Sequence, residues 1–249
     1  MSGQHSVIAM RRRLISVATA VALLLTAKPM LADDLAGFNA AIEDVASHSR
    51  AALGYLHNQN ADLAGVELEQ MRDAWGAFAE RFGRDRPERF RDNPLYVTML
   101  VDVPTRIVAA TIMINFGRPD VAAGSLQAIR QELSAVRRGS GVELLADCVL
   151  DANAAMEALL VYQDAPPDWD RTVTDFAQKA AAYGAAVTRC DAMAPAALRQ
   201  GVEFRRVVDG VAAALAVIPQ AIAARDDDLI HRVIIELQSF DNLLALRHG

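Results

Sequence analysis

Cys148 and Cys190 are the residues best placed for covalent chemistry in this 249-residue chain. They flank a turn signal at Asp164-Ala165-Pro166-Pro167-Asp168, Cys148 about 18 residues before its centre and Cys190 about 24 after. In an antiparallel helical hairpin those positions are roughly level. Two cysteines in an oxidising compartment pair as a rule. No Cys-x-x-Cys motif or adjacent histidine points to a redox or metal role, so the expectation is a structural Cys148–Cys190 disulfide.

Other chemistry finds little support. Asp44 and His48 are four apart and share a helix face, which makes half a metal site or a surface ion pair, the latter expected. His48 and His57 are nine apart and point to different faces, while His231 and His248 lie far along the chain. Met71, Met99, Met113, Met156 and Met193 could ligate a b-type haem, but methionine at helical spacing more often fills a core. There is no Cys-x-x-Cys-His, His-Glu-x-x-His, calcium-binding loop or Gly-x-Ser-x-Gly; Gly139-Ser140-Gly141 reads as a loop. No catalytic residue, cofactor or metal site is assigned, and the expectation is that the protein is not an enzyme.

The elements that must carry these residues are helices. Alanine and leucine dominate, aromatics are 6%, and β-branched alternation is nearly absent. Counting from Asp62, apolar residues follow at Ala64, Leu68, Met71, Trp75 and Phe78; from Asp120, at Ala122, Leu126, Ile129, Leu133 and Val136. A 4-3-4-3 spacing is one stripe on an α-helix. Both aspartates stand where an N-cap is expected. Asp228 repeats the pattern with Ile230, Ile234, Leu237 and Leu244, but Asp241 interrupts that stripe. The acidic run Asp226-Asp227-Asp228 suits a helix start.

Each anchor follows another helical segment and a short turn, so the unit is a helical hairpin. Anchor spacings of 58 and 108 residues leave room for one further hairpin between the second and third. The predicted fold is all-α: about four antiparallel helical hairpins, over residues 33–90, 93–138, 141–192 and 195–249, stacked as a short solenoid or packed as paired bundles. Pro104 predicts a kink or a break in the second hairpin's first helix. The stretch from Glu80 to Asp92 alternates five arginines with four acids and reads as a salt-bridged, solvated connector. Gly117-Arg118-Pro119-Asp120-Val121-Ala122 and the Tyr55/Ala64 pair resemble the turns of tetratricopeptide hairpins. That resemblance implies a partner-binding scaffold rather than an enzyme.

Residues 1–32 read as a cleaved export signal: Arg11-Arg12-Arg13, an apolar run from Leu14 to Ala27, and Ala32 before Asp33-Asp34. The run is too short for a comfortable membrane span, so no stable membrane insertion is expected after cleavage, and the location is periplasmic or secreted. This leader holds four of the 25 basic residues and none of the 31 acidic ones, which leaves a net charge of −10 on residues 33–249. So acidic a chain argues against nucleic acid as partner. The expected function is a non-catalytic protein-interaction or accessory factor with a protein partner. The alternative is a carrier of a metal, haem or small ligand bound between hairpins.

Overall fold

A computed structural model describes residues 27–249, and among them every regular element is helical. The long helices are α1 (Ala27–His57), α2 (Ala61–Phe82), α3 (Leu95–Asn115), α4 (Pro119–Gly139), α5 (Leu145–Leu160), α6 (Val173–Met193), α8 (Val202–Ala224) and α9 (Asp227–His248), with a single turn, α7 (Ala196–Arg199), before α8. The export-signal reading lies outside the described residues up to residue 26, and Ala27–Ala32 form the start of α1.

The four hairpins are present, and they close in pairs rather than stacking as a solenoid. α1–α2 and α3–α4 join through α2–α3 and α1–α4 contacts into one four-helix ring. α5–α6 and α8–α9 join through α6–α8 and α5–α9 into a second. Each ring has its own core, over residues 38–142 and 148–244. The stripes read from the sequence supply them: Ala64, Leu68, Met71, Trp75 and Phe78 in α2, and Ala122, Leu126, Ile129, Leu133 and Val136 in α4, are all buried. In each ring every helix contacts both its neighbours, and the ring encloses one core.

Three hairpin turns share one geometry. Gln59, Gly117 and Arg225 each adopt positive φ, at 58°, 68° and 50°. In each, the next residue's N–H reaches the carbonyl five residues back: Asn60 to Tyr55, Arg118 to Met113, and Asp226 to Ala221. This is a helix ending closed by a left-handed residue. The aspartates Asp62, Asp120 and Asp228 each lie three residues beyond the left-handed position, which is why they recur, but they are not N-caps. Asn60 caps α2 by accepting from the Leu63 N–H (3.2 Å), and Asp226 caps α9 by accepting from Leu229 (2.9 Å). Asp120 instead pairs with Arg118, behind Pro119 in the first turn.

α3 runs unbroken through Pro104, whose half-exposed ring lies away from the buried face. The arginine-rich connector keeps its charges solvated, all exposed but the half-buried Arg86, and is pinned by its apolar residues. Phe90, in a 3-10 turn at Glu88–Phe90, is fully buried against Phe38 (centroids 4.3 Å) and Tyr96 (5.8 Å). Arg86 lies over the Tyr96 ring and Arg89 donates to the Gly141 carbonyl, so only Arg91, paired with Glu88, meets the salt-bridge expectation among the described residues.

Cys148 and Cys190 face each other across α5 and α6 with Cα atoms 5.5 Å apart, and the structure joins them as a disulfide. The bundles meet along α4–α5 and α1–α9. At the first seam Arg137 and Asp147 form an ion pair that is 6% and 0% exposed. Asp147 Oδ2 also accepts from Arg137 Nε and from the Leu144 N–H, both at 2.9 Å.

Asp147→Ala should cost about 3–5 kcal/mol in urea denaturation, because it strands a buried guanidinium. Gln59→Gly should add about 1 kcal/mol by relieving the left-handed strain; an unchanged midpoint would show that the turn carries none.

Candidate binding groove

Between the bundles the seams part and leave a groove. One wall is α1 and α4, the other α5 and α9. It has two arms of about 380 and 300 Å³. Both arms are lined by Gln127 and Arg130 of α4 and by Asn242 and Ala245 of α9, so Arg130 stands where they meet.

Arg130 reaches the groove because it lies one position after Ile129, whose side chain anchors that turn of α4 in the first core. Its hydrogen bond among the described residues goes to Asn153 Oδ1 of α5, at 3.3 Å. No Asp or Glu side chain forms an ion pair with it among the described residues. Burial lowers its pKa, and the neighbouring Arg50 charge lowers it further. Arg50 pairs with Glu43 and donates to the Gly249 carbonyl at 2.8 Å. The Gly249 backbone comes so close that a side chain there would overlap the Arg130 guanidinium.

Asn153 continues the chain of contacts, donating to Asp241 Oδ2 at 2.9 Å. The second Asp241 oxygen and the neighbouring Tyr183 hydroxyl of α6 are both buried without a hydrogen-bond partner among the described residues. Burial pushes the Asp241 carboxyl up to about 6, against opposing pulls from Asn153, Tyr183 and Arg130. Burial likewise raises the Tyr183 hydroxyl, with Asp241 adding to it. The groove therefore holds a part-buried cation and, behind it, a buried acid, linked through one amide. Such an arrangement can bind and orient a polar group. It contains no nucleophile paired with a base.

The histidines considered from the sequence do not converge. His48 Nδ1 lies 2.8 Å from Glu67 Oε2 of α2, so its partner is across the hairpin and not Asp44. His231 Nδ1 meets the Gln163 carbonyl at 2.8 Å, and His248 packs edge-on to Phe204, its pKa lowered by burial. His57 lines the larger arm without a histidine beside it. Met71, Met99 and Met156 are core residues, and Met113 and Met193 pack against the cores. Among the described residues no three His, Cys, Asp or Glu side chains gather as a metal site would require. Sequence reasoning missed Arg130 and Asn153. Asp241 left a signal, since a charge interrupting an apolar stripe is a buried charge with a partner elsewhere.

No protein-family profile, curated protein or solved structure matches the chain.

The pH dependence of stability tests the strained carboxyl. Asp241 binds its proton more tightly in the fold (about 6) than in the unfolded chain (3.8). Its stabilising contribution is complete below the lower value and is lost as pH rises through the higher one. Asp241→Asn should match the native chain in urea at pH 3.5 and exceed it at pH 7.5, by up to about 3 kcal/mol. Equal stability at pH 7.5 would show that the carboxylate is not strained.

Proposed function

We propose that this chain is an exported, non-catalytic binding protein, an interaction or accessory factor, whose site is the groove between its two bundles. The observation that carries the reading is Arg130: a part-buried guanidinium with an amide as its hydrogen-bond partner, shared by both arms. Holding an arginine in that state is costly unless an anion completes it. A protein partner meets this requirement by laying an extended segment along the groove, with a carboxylate against Arg130. The amides of Gln127 and Asn242 stand on either side for its backbone. The export pattern of residues 1–32 supports a periplasmic or secreted location.

A second reading is favoured by the size of the arms, 380 and 300 Å³. Clefts of this volume hold small molecules. The protein would then be a carrier of a small ligand with an anionic group.

The two readings separate in one experiment. A photo-crosslinking residue at Gln127 is expressed in the native host, with and without Arg130→Gln, and the recovered protein is weighed by native mass spectrometry. The expected result is a crosslinked polypeptide, reduced about 10-fold or more by Arg130→Gln, the loss of one charge-assisted contact. A retained small molecule lost in the same variant moves the carrier reading ahead. Neither crosslink nor cargo overturns the assignment of the groove.

A further inference from the structure

The outer face of α3 stands apart from the rest of the surface. Val97, Val101, Val108, Ile112 and Phe116 are 53%, 61%, 52%, 42% and 76% exposed, in a row along the side opposite the buried Tyr96, Met99, Val103 and Ile107. α3 packs against α2 and α4, while the groove is built from α1, α4, α5 and α9. Its 21 residues contain two charges, Asp102 and Arg106, and Arg106 turns to Glu132 on α4 (3.5 Å). The exposed row itself carries none. A chain with a net charge of −6 repels its own copies over most of its surface, and this face is free of that repulsion.

The spacing of the row is a palindrome. Val97 to Val101 is four residues, Val101 to Val108 seven, and Val108 to Ile112 four. The midpoint lies between Pro104 and Thr105. A two-fold axis there, with the helices antiparallel, places Val101 opposite the second copy's Val108 and Val97 opposite its Ile112. Every contact is then made twice, which is the defining property of an isologous interface. Phe116, the most exposed of the row, would fold over the start of the other α3, at Pro94 and Leu95. Small and neutral side chains, Pro104 and Thr105, mark the axis and permit close approach.

We propose that α3 is the interface of a symmetric homodimer, with the two α3 helices antiparallel across an axis at Pro104–Thr105. A single helix pair of this length buries on the order of 1,000 Å² in total, the lower limit for a specific interface. The dimer is therefore a weak one whose assembly depends on concentration.

The palindrome makes a test that a merely sticky face would fail. The protein as recovered after export is examined by sedimentation velocity across a concentration series. The wild type should pass from monomer to dimer. Val101→Lys should shift the midpoint at least about 10-fold upward, since each lysine faces an apolar Val108. The double variant Val101→Lys with Val108→Glu should recover most of that loss, because lysine and glutamate then face each other twice across the axis. On one helix those positions are seven apart and do not touch. A second readout avoids charge altogether. Thr105→Cys should crosslink to its own copy under mild oxidation, the native cysteines being already paired. Val97→Cys should not, since it would lie roughly 22 Å from its copy along the helix. Circular dichroism confirms that each variant folds.

A wild type that stays monomeric at millimolar concentration overturns the proposal, as does a dimer indifferent to Val101→Lys. Loss without recovery in the double variant overturns the antiparallel register. Monomers that sediment with phosphatidylcholine vesicles would assign the face to a membrane, again against the proposal.

Discussion

The Arg137–Asp147 pair is the contact on which the arrangement of the molecule rests. Each partner sits in the last or first turn of its helix, at the only covalent passage from one bundle to the other. Burying both charges is unfavourable by itself, and it is tolerated because the guanidinium and the Leu144 N–H satisfy the carboxylate together. The same aspartate thus starts α5 and locks it to α4. Arg138 reinforces the joint, donating to the Asp147 carbonyl and pairing with Asp151, which also holds Arg189 of α6. One short stretch of chain therefore sets the angle at which the second bundle leaves the first.

The groove follows from that joint. Two bundles tied tightly at one seam diverge along their length, and the residues on the diverging faces are neither core nor free surface. Arg130 and Asn153 occupy this intermediate zone, with the buried Asp241 behind them. The Arg130–Asn153 contact is longer than those of the joint, and two buried oxygens, on Asp241 and Tyr183, lack a hydrogen-bond partner among the described residues. A protein interior normally satisfies such groups. Asp241 lines the smaller arm and Tyr183 lies buried beside it, so these unsatisfied oxygens stand next to the groove.

The two bundles present different outer surfaces although they share one ring order. In the first, α3 exposes valines and isoleucine; in the second, the corresponding α8 exposes Ala212, Ala213 and Ala216 together with the charged Glu203, Arg206 and Asp209. The helices are similar in apolar character, but the longer side chains of α3 offer far more area to a partner. The difference lies in side-chain size and charge and not in fold.

The sequence by itself determined the helices, the hairpins and the disulfide. Each depends on spacing along the chain: a 4-3-4-3 stripe buries one face of a helix wherever the helix goes, and a left-handed turn such as Gly117 closes it locally. Cys148 and Cys190 were legible because the hairpin that pairs them is continuous in sequence. The groove was not legible. Arg130, Asn153 and Asp241 come from three helices, and nothing in the spacing of one helix says which face of another it meets. The two-bundle closure, the partner of His48 and the burial of Phe90 were decided only in three dimensions, because contacts between helices depend on the angles at which they pack. Asp241 stands between the two cases: its charge inside an apolar stripe announced a buried partner, and only the tertiary structure could supply one.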